Sequence, residues 1–200
     1  MEKINLTSYL AGAIEAANNT EMTSWRNELK AKLNSPDLVF YDPVEREQQK
    51  TGRPSGEQVK LIQNLKQGGA WYQFKKEMNL IWFGNIKPDS GHIPDIFTFL
   101  RTRKMVDGNE NRDLNYFADW EAVLRSDFVV ANIKKDVQTI GTIGEIFVSY
   151  LFKIPIYLII DVPKTQCNST LLHWVLESGG EVFYTLKECS DFIKEKYHIK

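Results

Sequence analysis

Two runs in the second half of the chain, DFVVANI (127–133) and IPIYLIID (154–161), are apolar at nearly every position instead of at alternate ones. A strand with one face in water alternates, whereas a run that does not alternate needs apolar cover on both faces. Helix-patterned segments stand on either side of both runs: DLNYFADWEAVLRS, TIGTIGEIFVSYLFK, STLLHWVLES and LKECSDFIKEKY. Near the start, INLTSYLAG reads as a strand, and TSWRNELKAKL as a helix spaced by Trp25, Leu29 and Leu33, with Thr20 or Thr23 as its cap. DLVFYDPV follows as a second strand, and EVFYT near the end as a fifth. Strands alternating with helices predict an α/β fold: a flavodoxin-like three-layer sandwich with a five-stranded parallel sheet in the order 2-1-3-4-5. Such sheets bind ligands at the carboxyl ends of their strands, beside the switch point between strands one and three.

One segment breaks the alternation. From about residue 45 to 112 the pattern is irregular: REQQKTGRPSGEQ reads as a polar loop, AWYQFKKEMNLIWF as a helix and GNIKPDSGHIPD as a Gly/Pro-punctuated loop. So long a stretch is more than a connection. It is read as a largely helical and loop-like insertion after strand two, within a single domain spanning 1–200. Its aromatic residues, Trp71, Tyr72, Phe74, Trp82 and Phe83, together with His92, suit either a small core of its own or a cover over a ligand. Arg101, Arg103 and Lys104 read as a solvated basic face or a phosphate clamp.

Composition narrows the function classes. A formal net charge of −1 leaves no basic surplus for a nucleic acid polymer or an anionic membrane. No apolar run approaches the ~20 residues that cross a bilayer, and the N-terminal MEKINLTSYL lacks the pattern of a signal peptide, so a cytoplasmic location is expected. Cys167 and Cys189 lack metal-type spacing, as do His92, His173 and His198, so neither a metal nor another cofactor is expected.

The helix after strand three begins TIGTIGE. Ile143, Ile146, Phe147 and Tyr150 trace its apolar face by steps of three and four, which puts Glu145 on another stripe, with Gly141 and Ser149. Two readings are open for Glu145: a solvated glutamate favoured by the helix dipole, or a reactive carboxylate at the ligand edge, where glycines leave room. Asp119, on the helix leading into strand three, supplies a second carboxylate. The pair suits a nucleophile and an acid acting on a glycosidic bond. Asp127 reads as a turn or cap residue, and Asp136 as a solvated loop residue.

Taken in order, SYLAGAI, DWEAVLRSDFVVANI, TIGTIGE and KIPIYLII resemble the nucleoside 2-deoxyribosyltransferase superfamily, which also contains nucleotide N-glycosidases. The resemblance covers roughly residues 3–44 and 113–185 and leaves out the insertion. It implies an enzyme of nucleotide salvage that transfers a 2-deoxyribosyl group between bases through a covalent glycosyl–Glu145 intermediate. Asp119 would meet the base and shuttle its proton, Tyr9 would orient nucleophile and sugar, and Gly12 would line the same turn. The partners implied are a nucleoside or its 5′-monophosphate and a free nucleobase. Six residues before Glu145, the nucleoside transferases hold the 5′-hydroxyl with an aspartate and the nucleotide-cleaving branch has a serine; here stands Thr139. A neutral hydroxyl tolerates a 5′-phosphate better than a carboxylate does, and the Gly141 amide at the helix start suits phosphate as well. Asp136 remains within reach of a 5′-hydroxyl.

The resemblance further implies a residue reaching the site from a neighbouring subunit, hence a homodimer or larger homo-oligomer. Asn168 or Ser169 holds that place, unless it merely caps its helix. The transferases' C-terminal tyrosine is missing, with Tyr197 a displaced substitute at best. Two alternatives differ in chemistry: a nucleotide 5′-monophosphate N-glycosidase that hydrolyses, and a non-catalytic nucleotide-binding module. A phosphoribohydrolase of the lysine-decarboxylase-like type fits poorly, because neither a PGG run before TIGTIGE nor a glycine cluster after strand one is present.

Overall fold

The computed structural model describes residues 6–14, 19–83, 119–137 and 139–199. Five strands, β1 (Leu6–Gly12), β2 (Leu38–Tyr41), β3 (Phe128–Ile133), β4 (Ile156–Ile160) and β5 (Glu181–Phe183), form one parallel sheet in the order β2-β1-β3-β4-β5. The expected α/β architecture and strand order are therefore observed. Among the described residues the helices are α1 (Asn19–Lys32), α2 (Pro43–Thr51), α3 (Ser55–Gln67), α4 (Trp71–Phe83), α5 (Asp119–Arg125), α6 (Ile140–Leu151), α7 (Ser169–Glu177) and α8 (Leu186–Tyr197).

The unbroken apolar runs are explained by the two faces they serve. Val129, Ala131, Ile156, Leu158 and Ile160 join Tyr9 and Tyr41 beneath α5, α6 and α7. Phe128, Val130, Tyr157 and Ile159 join Leu10 beneath Trp25, Leu29 and Leu33 of α1 and Cys189 and Ile193 of α8. Each strand residue thus finds apolar cover on whichever face its side chain takes.

Local chemistry sets the helix ends. Asn168 caps α7, its Oδ1 accepting from the Thr170 and Leu171 amides at 2.9 and 3.2 Å. Thr185 and Glu188 form a reciprocal capping box at the start of α8. Neither Thr20 nor Thr23 caps α1, because the helix begins at Asn19 and contains both. Gly180, between α7 and β5, follows from close packing: a β-carbon there would overlap the backbone of Ile156.

The segment read as a polar loop is helical. Pro43 takes the first position of α2, where a missing N–H costs nothing, and Asp42 Oδ1 accepts from the Val44 amide at 3.0 Å. Gly52, at φ +71°, and Pro54 separate α2 from α3. Both helices turn polar side chains inward (Arg46, Glu47, Ser55 and Gln58 are all buried), so hydrophobic periodicity gave no signal. Glu77 of α4 clips the helices together: Arg53 and Gln58 donate to its Oε2 at 3.2 and 3.1 Å, and Gln73 to its Oε1 at 2.9 Å. The loop expected at 84–95, together with His92, Arg101, Arg103 and Lys104, lies outside the described residues.

Overlap with rigid backbone cannot be relieved by a rotamer change. Gly180→Ala is expected to destabilise the protein by about 3 kcal/mol or more, measured as a shift of the urea unfolding midpoint at unchanged slope.

Candidate active site

Around Tyr9, midway along β1 and level with the last residue of β2, the chain gathers several ionisable side chains away from water. Tyr9 is fully buried on the α6 face of the sheet, in register with Tyr41 of β2 and Val129 of β3. Its hydroxyl donates to Glu145 Oε1 at 2.6 Å, within the short range of a hydrogen bond to a carboxylate. Glu145 lies in the second turn of α6 and is 6% exposed. The inward side of that helix is made by Thr142, Glu145, Ile146, Val148 and Ser149, while Phe147 is 40% exposed. The expected apolar face is corrected at Phe147, and of the two readings open for Glu145 the solvated one is overturned. Phe147 lies outside the core and Glu145 inside it, where Tyr9 offers the carboxylate a donor.

Asp119 opens α5 and is also buried. Burial raises the Tyr9 pKa well above its ordinary value; the charges of Asp119 and then Glu145 raise it further, and Arg46 pulls it partly back. Tyr9, Glu145 and Asp119, the three side chains expected to act together, thus share one electrostatic environment. Glu121 of the same helix is occupied by Arg125, whose Nη2 and Nε reach its Oε1 at 2.9 and 3.2 Å.

Two buried cations escaped the sequence reading. Arg26 of α1 is fully enclosed: it donates to the Met22 carbonyl and, at 3.1 Å, to the Gly12 carbonyl, while its Nε lies 3.4 Å from Asp42 Oδ1. Burial lowers the Arg26 pKa, and Asp42, Tyr9 and Glu145 raise it again. A signal was present, because Met22, Trp25, Arg26, Leu29 and Leu33 are spaced as one helical face, and a charge on such a face needs buried partners. Arg46 of α2 is 5% exposed, with its guanidinium 5.2 Å from the centre of the Tyr41 ring. Nothing in the sequence around Arg46 marked it.

Close packing requires a glycine at position 12. A β-carbon on Gly12 would come within 2.7 Å of Trp25 Cζ2, and the Gly12 carbonyl is engaged by Arg26, so this turn is built for α1. A β-carbon on Gly141 would meet Trp82 at 3.7 Å and one on Gly144 would meet Trp120 at 3.6 Å, both ordinary contacts. The two indoles pack with centroids 5.0 Å apart, so the insertion reaches the start of α6 through Trp82. The space beside Glu145 that the glycines were expected to clear is lined by tryptophan. Trp71 and Tyr72, by contrast, are exposed and form no core.

Thr139 is the N-cap residue of α6, but its side chain makes no capping hydrogen bond. Asp127 is structural, as expected: its Oδ2 accepts from the Thr7 amide and hydroxyl at 2.7 and 2.9 Å. Asp136 is exposed in the turn after β3. Asn168 and Ser169 are exposed at the start of α7, where Asn168 acts as a cap. Among the described residues, no three His, Cys, Asp or Glu side chains converge on a metal position, and no helix is long and apolar enough to cross a membrane.

No family model, curated protein or solved structure matches this chain. The site must therefore be read from its own chemistry. Tyr9 is a fixed donor to a buried carboxylate, a second carboxylate shares its field, and two guanidiniums offset the negative charge. Such a grouping can hold a carboxylate in a set orientation toward an electrophile and move a proton nearby.

The same burial fixes a response to alkali. A free tyrosine ionises near pH 10, while Tyr9, Tyr157 and Tyr197 are all raised in the folded protein, chiefly by burial. Above about pH 10 the folded state therefore holds protons that the unfolded chain has lost, and stability falls as pH rises. A spectrophotometric titration is expected to show these three of the 8 tyrosines ionising above the ordinary tyrosine range. Tyr9→Phe should make the alkaline loss shallower.

Proposed function

We propose that the protein is an N-glycosidic bond enzyme that transfers a 2-deoxyribosyl group between nucleobases. The observation that carries this reading is the buried 2.6 Å hydrogen bond from Tyr9 to Glu145, with Asp119 acting electrostatically on the same tyrosine. A binding module has no need to bury two carboxylates around a tyrosine, since each costs free energy unless its charge is used or matched.

In the proposed reaction a Glu145 carboxylate oxygen attacks C1′ of the nucleoside. The C1′–N bond breaks, its electron pair leaves with the base, and Asp119 gives that base a proton. The product is a glycosyl ester on Glu145. An incoming base then attacks C1′ through a ring nitrogen and yields its proton to Asp119, and Glu145 leaves as a carboxylate. Tyr9 fixes one Glu145 oxygen throughout, so the other is aimed at C1′. No metal or organic cofactor enters these steps.

Water in place of the second base would make the protein a 5′-monophosphate N-glycosidase. One observation favours that second reading: the Thr139 side chain is not spent on capping α6, leaving a neutral hydroxyl where a phosphate would otherwise meet a carboxylate.

The proposed assembly is a homodimer or larger homo-oligomer in which Asn168 or Ser169 of one subunit reaches the site of the next. Its support is the outer surface of α6 and α7, where Ile140, Phe147, Leu151 and Leu176 are exposed.

Deoxynucleosides and their 5′-monophosphates, incubated with and without a second free base, separate the two reactions: exchanged base means transfer, and released base alone means hydrolysis. Glu145→Ala is expected to lower either activity by roughly three orders of magnitude or more and Asp119→Asn by about 10²–10⁴-fold. Full activity in the Glu145 variant would refute the mechanism. For the assembly, sedimentation at micromolar concentration is expected to show a dimer or larger species. A monomer there would count against a shared site.

A further inference from the structure

We infer that the tip of the α3–α4 hairpin, within the insertion, is a docking surface for an anionic phospholipid bilayer. It meets the bilayer through Trp71, Tyr72, Lys66, Lys75 and Lys76. Attachment of this kind does not depend on the glycosidic reading.

The tip has a fixed shape. α3 ends in a tight reversal in which Gly69, at φ +66°, supplies the left-handed residue. The Gly69 amide donates to the Lys66 carbonyl at 3.2 Å, and the Ala70 amide to the Leu65 carbonyl at 2.9 Å. α4 starts directly afterwards at Trp71, whose amide donates to the Gly69 carbonyl at 2.9 Å. The Trp71 ring meets Phe74 edge-on, with centroids 6.0 Å apart and planes at 84°. One turn further along, Glu77 ties α4 back to Arg53 and Gln58. The hairpin is held both at its turn and behind it, so the exposed rings are presented from a braced support.

That apex projects. Every residue from 66 to 73 is exposed, with Trp71 at 62% and Tyr72 at 85%. Singly exposed aromatic residues need no explanation, but these two are adjacent and stand among like charges. Between residues 58 and 83 the chain carries Lys60, Lys66, Lys75 and Lys76 against a single acid, Glu77. Glu77 is buried and faces Arg53, so it does not offset the lysines outside. Tyr72, Lys75 and Lys76 share the outer face of α4 at steps of three and four, and Lys66 lies in the last turn of α3. The whole-chain charge of −1 conceals this local surplus.

Rings with a polar edge beside lysines match the layered chemistry of a bilayer surface. Indole and phenol groups settle at headgroup level, where the ring leaves water and its N–H or O–H keeps a partner. Lysines at the same level reach anionic headgroups, each strengthening attachment by about fivefold. A projecting tip suits a broad, yielding surface. A nucleic acid strand is instead tracked by a basic groove, which an apex exposed along its whole length does not form. Three lysines and two rings make a peripheral and reversible contact.

The test is co-sedimentation of the whole protein with lipid vesicles. Vesicles of phosphatidylcholine containing about a third phosphatidylserine are expected to bind it at least about tenfold better than phosphatidylcholine alone, and less well as salt is raised. Lys75→Glu combined with Lys76→Glu should weaken that binding by about 25-fold or more. Trp71→Ala combined with Tyr72→Ala should weaken it by roughly tenfold. Both variants alter exposed side chains and should melt within a few degrees of the unaltered protein. Absence of binding to the phosphatidylserine vesicles, equal binding to both kinds, or binding that either variant retains in full would overturn the inference. So would a single-stranded oligonucleotide bound through the same residues without vesicle binding, which would make the tip a nucleic acid contact.

Discussion

Arg26 is enclosed on every side, and its enclosure organises the edge of the sheet on which the candidate site stands. A buried guanidinium needs its charge met and its donors filled. Here the charge is met by Asp42, at the end of β2, and the terminal nitrogens donate to the carbonyls of Met22 and Gly12. Three elements are thereby joined at one cation: α1 that carries it, β1 whose last residue it grips, and the β2–α2 corner. Gly12 has no side chain because Trp25, the neighbour of Arg26, fills the space. Removal of Arg26 would leave Asp42 facing Lys30 alone and would loosen the turn that sets the position of Arg46.

The site itself is an exercise in charge balance under low dielectric. Glu145, Asp119 and the Tyr9 hydroxyl would repel or neutralise one another if nothing opposed them, and Arg46 and Arg26 act on the same groups from the insertion and from α1. The two cations come from opposite sides of the sheet. The groups between them are held in place by the fold before any ligand arrives.

Much of the fold was legible because parallel strands buried on both faces leave unbroken apolar runs, and β3 and β4 are such runs. Asp127 was legible because a short carboxylate at a strand start has few other uses. The insertion was not. Its helices bury Arg46, Glu47, Gln58 and Glu77, and periodicity counts only apolar residues. The inner face of α6 was misjudged for a related reason: a glutamate enters a core only when a partner far along the chain receives it, and no local window contains both Tyr9 and Glu145. Gly141 and Gly144 are not crowded, since a β-carbon at either would make only ordinary contact, and what faces them is the pair Trp82 and Trp120, one of them from the insertion.

The span of the Tyr9–Glu145 bond has a bearing on how the molecule is made. Its partners are 136 residues apart in sequence, with β2, β3 and the helices α1 to α5 between them. Closing so distant a contact is a late event entropically, since the intervening strands must first be in register. A nascent or partly folded chain therefore owns every side chain of the candidate site but none of the arrangement. The Tyr9–Glu145 pair is put together only when two distant parts of the chain have met across the sheet, so an intact pair is itself a sign that both have folded.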